Sequence, residues 1–184
     1  AVTDLRTQGA TSFVFDFRQN PGGLLDQALK ISNMFLDDGD VIMQTQEKDA
    51  EPNKIVASDS EFGDFKITEP SVLLVDEGSA SASEIVAGAL QESSEIPLVG
   101  TTTFGKGTVQ TVYPLTESSE LKLTVAKWLT PNGNWIHEKG ISVDYEVALP
   151  EYATLTIIDS TATYEEGIVS EEVKNVEAML NAIG

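Results

Sequence analysis

The chain has 184 residues, 41% apolar and 22% charged, a balance suited to one globular domain and unlike a fibrous, fully disordered or membrane-spanning chain. Eleven basic residues stand against 30 acidic ones, and the resulting charge of −19 repels nucleic acid and anionic lipid. With no cysteine and a single histidine, His137, the chain cannot build a disulfide, a thiolate nucleophile, an iron–sulfur cluster or a multi-histidine metal site.

Residues Ala1 to Thr7, followed by Gln8-Gly9-Ala10, read as the last turns of a helix with a glycine stop. The reading therefore begins in mid-structure, as expected of a piece of a longer chain. Ser12 to Phe17 (SFVFDF) is almost continuously apolar and predicts a strand buried on both faces, as in a parallel sheet. Arg18 to Gly23 breaks it, and apolar residues at Leu24, Ala28, Ile31 and Phe35 then follow a helical spacing. Val41 to Gln46 predicts a strand, and the acidic stretch Glu47 to Asp64 a loop or a hairpin with weak strands. Ser71 to Val75 (SVLLV) is a second buried strand, Asp76 to Ser81 a turn, and Ala82 to Gln91 a helix.

Pro97 to Thr101 predicts a short strand and Thr102 to Gly107 a loop. Val109 to Leu115 and Glu120 to Leu129 alternate like an antiparallel pair, with Leu121, Leu123 and Val125 on one face. Pro131 to Asn134 is a turn. The tail from Ser170 predicts a Ser-capped amphipathic helix with Val173, Val176, Leu180 and Ile183 on one face. Strand, turn and helix in succession, twice, followed by antiparallel ribbons, describe an α/β architecture. In such sheets ligands bind where strands end and helices begin.

Both Gly-rich turns fall at such a point. In Gly78-Ser79-Ala80-Ser81-Ala82-Ser83-Glu84 small residues allow a sharp turn that exposes a serine beside helix N-terminal amides, which suits a nucleophile next to an oxyanion site. The same run also reads as simple capping. A serine needs a base, and the candidates are His137 and a lysine desolvated enough to lose its proton near neutrality. Lys106, between Gly105 and Gly107, has no evident packing role. Phe104 is expected to contribute to an apolar pocket around it, and Gln110 to orient its amine. Gly22 and Gly23 allow close approach of a substrate backbone, with N–H groups that could donate to an oxyanion; a plain strand–helix turn is the alternative.

Four stretches taken in order resemble the C-terminal processing peptidases, or tail-specific proteases, of the S41 serine peptidase group. They are Asp16 to Gly23, Gly78 to Ile85, Gly100 to Gln110 and Lys127 to Gly133. The resemblance implies an α/β, ClpP/crotonase-like spiral core with parallel strands, an antiparallel β-ribbon and a C-terminal helix. It implies a catalytic core over 1–150, shortened at its N-terminus and without the family's PDZ domain, and a C-terminal extension over 151–184. Ser81 becomes the nucleophile, Lys106 the general base and Gln110 the holder of its amine. The amides of Ala82 and of Gly22 or Gly23 form the oxyanion hole, and His137 has no catalytic part.

The implied activity is serine endopeptidase cleavage of polypeptides near their C-termini, with no cofactor, no metal and no nucleic-acid partner. A homodimer is compatible with the family. The implied location is extracytoplasmic, with membrane attachment only through a segment absent from this chain. A non-catalytic peptide-binding or assembly module that keeps the fold is the alternative reading.

Overall fold

In a computed structural model, residues 1–116, 118–148, 163, 165 and 167–183 are described. The chain forms two compact units, Ala1–Glu146 and Val147–Gly184.

The first unit begins with the short helix α1 (Val2–Thr7) and the strand β1 (Phe13–Asp16). Helix α2 (Leu25–Asn33) follows the Gly-rich turn and turns Ala28 and Leu29 inward. The strands β2 (Val41–Glu47) and β3 (Asn53–Val56) form an antiparallel hairpin with an irregularity between Val41 and Met43, and α3 (Asp59–Phe62) is one turn long. The acidic stretch read as a loop or weak hairpin thus contributes a real edge strand.

Next come β4 (Ser71–Val75), α4 (Ala82–Ser93) and β5 (Leu98–Gly100). The long strands β6 (Thr108–Thr116) and β7 (Ser119–Leu129) pair as an antiparallel ribbon, and the two-residue strand β8 (Tyr145–Glu146) closes the unit. Strands β1, β4, β5 and β8 make a four-stranded parallel sheet in the order β1-β4-β5-β8. The second sheet is antiparallel, in the order β3-β2-β7-β6. A mixed α/β architecture with one parallel sheet and one antiparallel ribbon is what the sequence predicts.

The core explains the order. Leu73 and Val75 of β4 and Leu98 of β5 are fully buried, and each such side chain contributes roughly 1.5–3 kcal/mol. Every residue of α4 from Ala82 to Leu90 is buried, so this helix is a central element rather than an amphipathic surface one. It packs against both α2 and β2. The exception to the expected pattern is β1. Phe13 is buried but Val14 is 66% exposed, because β1 lies at the edge of its sheet and has one covered face instead of two.

In the second unit α5 (Glu171–Ile183) starts at Ser170, whose Oγ accepts the Val173 N–H at 3.2 Å, the N-cap read from the sequence. Val173 and Val176 are half-buried and Leu180 is exposed; the side chain of Ile183 lies outside the described residues.

Candidate active site

Two turns are joined by one carboxylate. Strand β4 ends at Val75, and Asp76 accepts the Gln19 N–H at 2.8 Å, the Gln19 side-chain amide at 2.9 Å and the Gly78 N–H at 2.9 Å. Burial raises the Asp76 carboxyl, but these donors and Ser79 outweigh it and hold the group below the usual carboxylate range. Ser79 Oγ donates to the Phe17 carbonyl at 2.8 Å, and the Ala80 N–H to the Asn20 carbonyl at 3.0 Å. The turn after β1 is thereby fastened to the turn after β4. On its outer side Arg18 forks onto Asp16, whose carboxyl it holds down at about 2.

Gly22 lies in the seam between them. Its φ is +95°, and a Cβ there would stand 2.5 Å from the Ala80 carbonyl oxygen and 2.8 Å from the Ala82 nitrogen, so only glycine fits. Its N–H donates to Asn20 Oδ1 at 3.0 Å. Gly23, Ser81 and Ala82 line one cavity, and Ala82, the first residue of α4, has an N–H without an intrahelical acceptor.

Ser81 is the N-cap of α4 and sits at φ 58°, ψ −115°, a conformation costly for a residue with a Cβ. Glu84 is the third residue of the helix, and its Oε2 takes the Ser81 N–H at 2.8 Å in a capping-box arrangement. The Glu84 N–H in turn donates to the Ser81 carbonyl at 2.9 Å.

Glu84 reaches further than a cap. Fully buried, it also accepts Thr103 Oγ1 and the Gly105 N–H, each at 2.6 Å, and the Lys106 N–H at 2.9 Å. One carboxylate thus ties the serine turn to the loop that carries the lysine. The Phe104 N–H adds a bond to the Ser79 carbonyl at 3.0 Å, and the Gly105 carbonyl accepts the Glu138 N–H at 2.9 Å. The loop backbone is held at nearly every residue, while no ion pair among the described residues involves Lys106.

Ser81, Ala82, Gly23, Lys106 and Gln110 line one cavity of about 290 Å³, whose apolar wall includes Met43, Ile85, Val109 and Trp128. Gln110 is the third residue of β6, and its amide donates to Thr124 Oγ1 at 3.4 Å. Phe104, expected to shield the lysine, is 63% exposed and does not line the cavity. Trp128 from the ribbon lines the cavity instead. His137 stacks near Trp135 with ring centroids 5.4 Å apart, away from the Ser81 cavity, and its Nδ1 is buried without a partner among the described residues.

The sequence reading missed Asp76, Glu84 and Trp128. Glu84 was visible as the fourth residue of a Ser-x-x-Glu box, but nothing local announced its bonds to residues 19 to 22 positions away. Among the described residues no helix is long and apolar enough to cross a membrane, and no group of three metal-ligating side chains is gathered.

Known proteins share this sequence and fold. The carboxy-terminal processing protease CtpA of Bacillus subtilis (strain 168) is 47% identical over 184 residues, all of this chain and 39% of that protein. A probable CtpA-like serine protease of Staphylococcus epidermidis (strain RP62A) is 39% identical over the whole chain, which covers 37% of its length. Among solved structures, the photosystem II D1 C-terminal processing protease superposes with a TM-score of 0.70 at 35% identity, over 80% of this chain and 37% of that one. The chain thus spans less than two-fifths of the length of these curated relatives. Residues 1–147 match Peptidase family S41, and with the fold and the relatives in agreement the chain belongs to that family.

Proposed function

We propose that the chain carries the catalytic centre of a serine endopeptidase that cuts polypeptides near their C-termini through an acyl-enzyme on Ser81. Ser81 Oγ attacks the scissile carbonyl carbon while its proton passes to the amine of Lys106. The oxyanion is met by the backbone N–H of Ala82 and of Gly23, since Asn20 already engages the N–H of Gly22. The Lys106 ammonium then returns the proton to the leaving amine as the C–N bond breaks. Water, deprotonated by the same amine, hydrolyses the Ser81 ester and restores both groups. Gln110, which lines the cavity with Lys106, accepts a hydrogen bond from its amine.

The observation that carries this reading is the Glu84 carboxylate. It bonds the backbone of Ser81 and of Lys106 at once, so nucleophile and base share one wall of one cavity. The C-terminal preference rests on what the similar proteases of Bacillus subtilis and photosystem II are named for. An extracytoplasmic setting belongs to the same proposal.

The test is cleavage of a protein substrate by the full-length protein that bears this chain. Ser81→Ala and Lys106→Ala should each abolish cleavage with unfolding midpoints unchanged. Undiminished cleavage by either variant removes the Ser–Lys assignment, whereas a parent protein that binds the substrate without cutting it leaves a peptide-binding module with a peptidase fold.

A further inference from the structure

We propose that Trp128 is a positioning residue for the lysine base, holding the carbonyl of Lys106 so that its side chain is aimed at Ser81. The inference rests on the Ser81–Lys106 reading above. The chain has two tryptophans, and both end on this loop. Trp128 Nε1 donates to the Lys106 carbonyl at 2.8 Å, and Trp135 Nε1 donates to the Gly107 carbonyl at 2.9 Å. The backbone N–H of Trp128 adds a third bond, to the Gly107 carbonyl at 3.2 Å. The approach is close: a Cβ at Gly107 would stand 3.0 Å from the Trp135 indole nitrogen and 2.8 Å from the His137 nitrogen.

Lys106 is therefore gripped on both sides of its α-carbon. Glu84 takes its N–H and Trp128 its C=O. With both peptide groups pinned, φ and ψ are set, and the amine can move only through its side-chain torsions. A flexible four-carbon stem is a poor base unless its root is fixed, because proton transfer demands the amine within hydrogen-bond reach of the hydroxyl.

The two indoles are unequal. Trp128 is 2% exposed, belongs to the core cluster and lines the Ser81 cavity, so the packing around its ring fixes its N–H at the Lys106 carbonyl. Trp135 is 44% exposed and its bond can be taken over by solvent. A tryptophan that merely satisfied its buried N–H would matter for stability alone. A positioning tryptophan matters for turnover.

The experiment compares Trp128→Phe, Trp128→Tyr, Trp135→Phe and Lys106→Ala in the full-length protein, by peptide cleavage and by phosphonylation of Ser81 with a fluorophosphonate probe. For Trp128→Phe, kcat and the labelling rate should fall at least about 10-fold with KM changed less than about twofold, since the donor is lost and the ring kept. Trp128→Tyr, which returns an O–H donor, should recover part of that loss, and Trp135→Phe should stay within about threefold of the parent. Parental kcat in Trp128→Phe, or a change confined to KM, overturns the proposal.

Lys106→Ala separates the two readings. If it still cleaves, the Ser–Lys assignment itself fails; if it is dead while Trp128→Phe is fully active, only the positioning role fails. Should Trp128→Phe not fold, the two indole N–H resonances of the unmodified protein decide. Slow exchange of the Trp128 proton, and its shift on phosphonylation of Ser81, support the role. Free exchange with no shift removes it.

Discussion

Two carboxylates do the same job in two different settings. Asp76 fastens the turn after β1 to the turn after β4 from a half-exposed position, and Glu84 fastens the turn after β4 to the lysine loop from a fully buried one. Each accepts several N–H groups, and each joins segments far apart in sequence. The difference is water. Donors that lose Asp76 can turn to solvent, whereas Thr103 and Gly105, if they lose Glu84, leave unpaired donors in the interior, where an unpaired polar group costs most. The seam nearer the proposed chemistry is the one built without a fallback.

Substituting the two carboxylates tests that contrast. Glu84→Ala removes the acceptor of the Ser81, Gly105 and Lys106 N–H groups, and the loss should be about 3 kcal/mol or more with cleavage abolished, read by urea unfolding and activity together. Asp76→Asn should cost about 1 kcal/mol and leave measurable activity. Equal losses would show that burial is not what separates the two seams.

Gly22→Ala sharpens the comparison from the other side of the Asp76 seam. The added methyl would meet the Ala80 carbonyl oxygen and the Ala82 nitrogen at a positive φ, and roughly 1–3 kcal/mol of stability should be lost with a fall in kcat as the Ala82 amide shifts.

Acid provides a third probe. Asp76 is held below its ordinary pKa, and Asp16 and Glu69 are held at about 2 by Arg18 and Arg6. A lowered folded-state value means that these groups contribute stability above the unfolded carboxylate range near pH 4. That contribution drains as pH falls from there towards about 2. Urea midpoints measured from pH 5 to pH 2 should fall accordingly, and Asp76→Asn should flatten part of the slope. A slope identical to the parent's would detach Asp76 from acid stability.

The smallest effect is expected where no seam exists. Lys30→Ala removes an exposed i,i+4 pair with Asp26 on α2, and the change should be no more than about 0.5 kcal/mol, within error of the parent in the same unfolding series.

The sequence alone determined the order of the main elements and singled out Ser81, Lys106 and Gln110, which line one cavity. Buried strands write themselves as short apolar runs such as SVLLV, and glycine-rich turns mark where each strand hands over to a helix, because both signals are local in the chain. The Ser81, Lys106 and Gln110 set was read through the resemblance to the S41 peptidases, since the local pattern by itself left His137 open as the base; each of the three lies in a short stretch that carries that resemblance. Tertiary structure alone decided what holds them. Glu84 and Asp76 act through donors 19 to 57 positions away, Trp128 through a carbonyl 22 positions back, and no local pattern encodes such partners. Phe104 and Val14, apolar residues expected to be buried, are exposed in the assembled fold, Val14 on the uncovered face of the edge strand β1 and Phe104 outside the cavity.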